Sequence, residues 1–166
     1  MRVMKYDDKT LHDEFRHYSP KHGLKEGIRE LFLDILNEYY DIVKTMPIDV
    51  IKSLFPTPKH TGPVGTYFEE WMIKQRNPTE HYPFTIEAVI MDWYGDRSTT
   101  AVVNAVGNSI DEVLQRLLLA YILYLSDTIE YLSKDEYLKG EYYARSARST
   151  QEYLNNITNT IKKYGK

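Results

Sequence analysis

The chain has no cysteine. A disulfide scaffold is therefore excluded, as is any metal or redox site that depends on a thiolate. Strong charge of one sign is also missing. The 21 Lys and Arg stand against 24 Asp and Glu, for a net charge of -3. That is no whole-chain footprint for nucleic acid, although a local basic patch stays compatible with it. Long apolar runs are absent too. The longest, Leu117 to Leu125, is nine residues. A helical membrane span takes about 20, so none is expected. The opening MRVMKYDDKTLHDEF holds no apolar stretch of signal-peptide length. An intracellular (host cytoplasm) or virion protein is expected, not one secreted by a signal peptide. Gly-x-Gly loops, Walker-type lysines, nucleophile elbows and His-Glu-x-x-His do not occur, and no cofactor is expected.

What the chain does have is tyrosine, at 15 of 166 residues. Tyr, Ile, Leu and Lys are abundant and Gln is scarce, a composition that fits a thermophilic archaeon or one of its viruses. One domain over 1–166 is expected from the length, enough to bury a core without covalent staples. Residues 1–18 are charged, lack periodicity and read as an arm or loosely packed start. Helices and a hinge are expected over 19–94. Ser19-Pro20 suits an N-cap and first helical position. Leu24, Ile28, Leu31, Ile35, Tyr39 and Ile42 then form one apolar face. Pro47 restarts a short helix through Ile48, Ile51 and Leu54. Prolines and glycines over 55–65 mark a surface loop. Thr66 and Glu69 have capping-box spacing, which predicts a helix carrying Tyr67, Phe68, Trp71 and Met72 up to Asn77-Pro78.

Residues 84–94 fit two patterns. Phe84, Ile86, Ala88 and Ile90 alternate as in a strand, while Ile86, Val89, Ile90 and Trp93 suit a helix. With no evident partner strand, helix is the preferred reading, because a lone strand leaves its backbone unpaired. Ser98 to Val106 reads as a short turn. Ser109 and Glu112 form a second capping box, and a long apolar periodicity follows to Leu132. Some 23 residues at 1.5 Å rise give roughly 35 Å of helix. Ser133 and Glu136 mark a tight turn, and Tyr142, Ala147, Leu154, Ile157 and Ile161 carry a return helix. The expected fold is all-α: an irregular helical bundle built on a long C-terminal antiparallel hairpin over 109–163, with a proline-rich central loop and a strand at 84–94 as the alternative for that segment.

Four groups of residues invite a functional reading. Arg76 and His81 are separated by four residues, the first of them Asn77. This resembles the R-x4-H motif of HEPN-type ribonucleases, an all-helical family, over six residues. The resemblance implies a metal-independent endoribonuclease with His81 in proton transfer and Arg76 steadying a phosphate, chemistry suited to a near-neutral imidazole and a planar guanidinium. The plain alternative is a polar loop. Glu26, Glu30, Asp34 and Glu38 recur every four residues. Like charges so spaced are mildly unfavourable, so they read as a solvated face or a stripe for a basic partner. Arg145 and Arg148, then Lys162, Lys163 and Lys166, could answer that stripe within the fold or on a neighbouring copy. His12, His17 and His22 are five apart, which suits no compact metal motif; no metal site is expected. Tyr121, Tyr124, Tyr131, Tyr137, Tyr142 and Tyr143 crowd the hairpin. Tyrosines on an outer face suit an interface, so all but Tyr121 are expected to meet a partner.

The leading expectation is a non-enzymatic helical assembly or protein-interaction subunit, a homo-oligomer or one bound to a protein partner, with nucleic acid reached through a local basic patch. Thr61-Gly62-Pro63 resembles the turn between helices in the small coat proteins of filamentous archaeal viruses. That resemblance implies a coat-like protein; a small subunit of a nucleoprotein complex is the related version. The alternative is the HEPN-like ribonuclease.

Overall fold

The computed structural model describes residues 5–15, 26–55, 64–75, 84–94, 97–134 and 141–165. Helix α1 spans Asp8–Glu14 and α2 spans Glu26–Ile35. The latter continues through a π-helical turn, Leu36–Tyr40, into α3, Asp41–Val43. After Pro47 comes α4, Ile48–Ser53. Three strands follow, β1 (Val64–Gln75), β2 (Phe84–Tyr94) and β3 (Arg97–Gly107). Helices α5 (Ile110–Lys134) and α6 (Glu141–Tyr164) complete the chain. The fold is mostly helical with a small sheet.

The sheet corrects the all-α expectation. It is an antiparallel meander in the order β1-β2-β3. Residues 84–94 are its central strand, pairing Ile86 with Ile73 on one side and with Ala105 on the other. The missing partners had been assigned elsewhere. Thr66 to Gln75 has capping-box spacing, yet Thr66 pairs with Asp92, and a register shift between Phe68 and Glu70 leaves Glu69 as the bulged residue. Ser98 to Val106, read as a turn, pairs along its length with β2. Once three adjacent segments rich in β-branched and aromatic residues are paired, every central backbone group is satisfied, and that outweighs local helix signals.

The N-terminal residues correct a second expectation. Of the expected arm, residues 5–15 are packed into the fold. Asp7 caps α1 by accepting from Lys9 and Thr10 backbone N–H groups, and the Thr10 hydroxyl answers the Asp7 N–H at 3.3 Å. Tyr6, Leu11 and Phe15 are buried in the core. The apolar face of α2 is also shifted by one residue from its expected centre. Phe32, Leu36, Tyr40 and Val43 are its deepest side chains, while Ile28, Leu31 and Ile42 are only partly buried. Its core side is fixed by α5 and by the N-terminal aromatics: Phe15 meets Phe32 edge-on at 4.9 Å.

Helix α5 is the centre of the molecule. Leu117 to Leu125 are all buried. A helix apolar around its whole circumference must be enclosed, and α5 is: β3 and β2, α6, α4, α2 and the π turn all pack on it. Its start follows the expected cap, with the Ser109 hydroxyl accepting the Glu112 N–H at 3.1 Å. The Glu112 carboxylate returns to the Asn108 N–H, at 3.2 Å. Helices α5 and α6 touch each other, Tyr121 meeting Tyr153 edge-on at 6.4 Å. Their connection, 135–140, lies outside the described residues.

The step from β3 into α5 is tight. A Cβ on Gly107 would stand 3.1 Å from both the Val113 backbone nitrogen and its Cγ2, and 3.2 Å from Glu112 Cβ. The backbone of a helix's first turn cannot easily give way. Gly107→Ala is expected to lower stability by about 1–3 kcal/mol, as overpacking does. Thermal unfolding followed by circular dichroism checks this. An unchanged midpoint would show that the turn relaxes freely.

Candidate functional site

A buried charge interrupts the apolar surface of α5. Arg116 lies one turn after Glu112 and is only 6% exposed. A buried guanidinium must have every donor direction answered, and four acceptors converge on it. Its Nε donates to the Tyr40 hydroxyl oxygen at 3.1 Å. One terminal nitrogen donates to the Val106 carbonyl at 3.0 Å. The other reaches Glu14 at 3.0 Å and Glu112 at 2.9 Å. The Tyr40 hydroxyl donates in turn to the same Glu14 oxygen, at 2.9 Å. Residues from α1, the π turn, β3 and α5 thus meet at one cation. Burial opposes the charge of Arg116, but its phenol and carboxylate partners outweigh that and raise its pKa. Tyr40 is held protonated well above its ordinary range, chiefly by burial; Arg116 pulls the other way and Glu14 adds to the rise.

A second cluster joins the same N-terminal segment to the opposite flank of the π turn. Asn37 grips the backbone of Tyr6 from both sides, accepting its N–H at 2.8 Å and donating to its carbonyl at 3.0 Å. The Tyr6 hydroxyl donates to Asp41 and accepts from Lys44, the latter at 3.1 Å. Lys5 pairs with Asp41 at 3.0 Å. The Lys44 ammonium stands 4.1 Å from the centre of the Tyr40 ring, a cation–π contact. Burial first, and Asp41 after it, push the Tyr6 phenol up. The Tyr6 hydrogen bond is the main reason that the Asp41 carboxyl is held below its usual value. Tyr39, next to Glu38 on the same turn, is raised to about 12, mostly by burial. π-helical turns recur at functional sites; this one carries two of the residues, Asn37 and Tyr40, that bond the N-terminal segment.

The residues singled out from sequence fall elsewhere. Arg76 and His81 lie outside the described residues, as do His17, His22 and the Thr61-Gly62-Pro63 turn. The elements flanking 76–83 are strands β1 and β2, not the helices that the ribonuclease resemblance implies. Glu30, Asp34 and Glu38 are exposed along α2 and its π turn; Glu26 lies at the start of that helix. Tyr124 is 1% exposed, in the core with Tyr121. Its expected place on a partner surface is therefore corrected: the middle of α5 is covered on all sides, so Tyr121 and Tyr124 both lie in the core. Tyr131, Tyr142, Tyr143 and Arg145 lie on α5 and α6 with side chains outside the described set, and Tyr137 falls in 135–140. Arg148, Lys162 and Lys163 are exposed on α6. The structure does not bring the acidic row and Arg148 together in a described ion pair. Among the described residues, no three metal-ligating side chains gather, and no helix is long and apolar enough to cross a membrane.

Sequence reasoning missed Glu14, Tyr40, Glu112 and Arg116 as a set. One signal was present: an arginine inside an otherwise apolar helix face, four residues after a glutamate, calls for buried partners. Comparison with protein-family models, with curated proteins and with solved structures finds no match.

Two outcomes follow from this chemistry. Arg116→Ala removes the cation and strands Glu14, Glu112 and Tyr40, so a loss of about 3–5 kcal/mol is expected, read as a fall in denaturant midpoint. A loss under about 1 kcal/mol would mean the cluster is energetically neutral. For Asp41, the folded pKa lies below the unfolded one. Its stabilisation is then in full force above the unfolded value and is lost as pH falls through the folded one. The protection of the Tyr6 amide, corrected for intrinsic exchange, should be full above the ordinary carboxylate range, begin to fall as pH enters it and go on falling until the folded pKa is passed. Asp41→Asn should abolish that pH dependence, and a profile unchanged by the substitution would assign the protection to Asn37 alone.

Proposed function

We propose that this chain is a non-enzymatic assembly or protein-interaction subunit, whose α5 and α6 form a helical hairpin at the heart of a small bundle. The supporting observation is how its charge is divided. The polar chemistry at the centre, Arg116 with Glu14, Glu112 and Tyr40, is spent on joining the chain's own elements. Glu30, Asp34 and Glu38, by contrast, form an exposed acidic row. On another helix of the same molecule, Arg148, Lys162 and Lys163 are exposed. Opposite charges on separate faces let one copy meet the next, and such contacts steer association and fix orientation. A coat-like role in a virion, or a place in an intracellular nucleoprotein complex, fits a subunit of this kind; its composition suits a thermophilic source.

Light scattering over a range of protein and salt concentrations tests the reading. Oligomers are expected to weaken as salt screens the exposed charges. Replacing Glu30, Asp34 and Glu38 by lysine should leave the fold intact and reduce association at least tenfold. A monomer at every concentration that binds no protein or nucleic acid would overturn the proposal. So would metal-free cleavage of single-stranded RNA that disappears in His81→Ala.

A further inference from the structure

The N-terminal segment 5–15 behaves as a ligand that the chain carries for itself. Its hydrogen bonds to the rest of the protein reach Asn37, Asp41, Tyr40, Lys44 and Arg116. Tyr6, Leu11 and Phe15 are its buried anchors. Phe15 seats against Phe32 and Tyr40, at 4.9 and 5.6 Å between ring centres. This is the pattern of an amphipathic helix in a groove, apolar anchors with a charged residue read at the floor. The ten residues 16–25, with Pro20 and Gly23 among them, join the segment to α2.

The charge at the floor shows which state the groove is built for. Glu112 and Arg116 sit one turn apart on α5 and contact at 2.9 Å. They neutralise each other without help. Arg116 also keeps Tyr40 and the Val106 carbonyl when Glu14 is taken away. Removing one partner of a buried pair is usually costly because it strands a charge. Here, withdrawing Glu14 strands none; it takes an extra carboxylate from a site that already holds one for its one guanidinium. Charge therefore does not lock the strap in place; what holds it is the burial of Tyr6, Leu11 and Phe15 and the Tyr40–Glu14 hydrogen bond.

We propose that the 5–15 segment is an exchangeable strap, and that in the assembled protein the groove of one copy takes the strap of a second copy. The sequence that fits this groove is known from its occupant, and a second copy offers it unchanged. Every contact made within one chain can then be made between two, which makes such exchange a low-cost route to association. The inference rests on the assembly reading and supplies its mechanism.

The absence of cysteine makes the test direct. Asp8 and Arg29 are exposed and lie 3.7 Å apart across the strap and α2. One batch of chain carries Asp8→Cys and another Arg29→Cys. The two are mixed and treated with a short bismaleimide, and light scattering is run in parallel. A covalent heterodimer joining one of each is expected, growing with protein concentration. In the chain carrying both substitutions, dilution should shift the product toward loops within one chain. Assembly by light scattering with no heterodimer would overturn the exchange and leave the assembly reading standing. No assembly at any concentration would remove both. Glu112→Gln provides a kinetic readout: opening now strands Arg116, so the heterodimer should form about tenfold more slowly, and equal rates would overturn the charge argument.

Discussion

Helix α5 has no solvent side over its middle. Residues 117–125 are apolar in every direction, so the helix can exist only if something lies against each quadrant. Burying one large apolar side chain stabilises by about 1.5–3 kcal/mol, and eight such side chains among nine successive residues make any arrangement that leaves a quadrant open untenable. That requirement explains the otherwise odd mixture of elements. A sheet covers one side, α6 another, and α2 with α4 closes the rest. The buried cluster accordingly runs from Tyr6 to Ile161, drawing on both ends of the chain.

Enclosure by apolar packing alone does not fix how those covers are ordered, because hydrophobic contact is non-directional. Arg116, the one buried cation among the described residues, does. Arg116 presents donors in a fixed planar fork, and the four acceptors belong to α1, the π turn, the end of β3 and α5 itself. A slipped strand or a rotated α2 would leave a donor unmet. Its distances are ordinary for charge-assisted bonds, so it needs no strain to perform this role. Buried ionic groups that specify arrangement rather than add net stability are known in some proteins, and the convergence of four elements here fits that role.

The helices were largely legible from sequence because their signals are local. The break at Pro47, the cap at Ser109 and the long apolar period after it are each contained in a few residues. The sheet was not, because pairing is a property of two segments at once. Thr66 to Gln75 has helical spacing and a capping pattern in isolation; only β2 beside it decides otherwise. The N-terminal segment was misjudged for a related reason. Seven residues of α1 carry too few anchors to show a period, and Leu11 and Phe15 look unremarkable until Phe32 and Tyr40 are placed against them. The tyrosine count misled at Tyr124. An excess on a two-faced hairpin implies an outer surface, whereas a fully enclosed helix needs large side chains all round, and Tyr121 and Tyr124 are among them.

Glu14 and Glu112 differ in what their loss would do, although both touch the same nitrogen. Glu112 is bound to its cation by helix geometry, at i and i+4, and its carboxylate also sits where the first turn of α5 favours negative charge. It remains in place whatever the rest of the chain does. Glu14 arrives on a separate element through a contact 102 residues distant in sequence. The permanent partner makes the cation safe to bury, and the visiting partner makes its surface selective. A floor with that division stays charge-balanced without Glu14, which is the condition the proposed sharing of strap and groove between two chains requires.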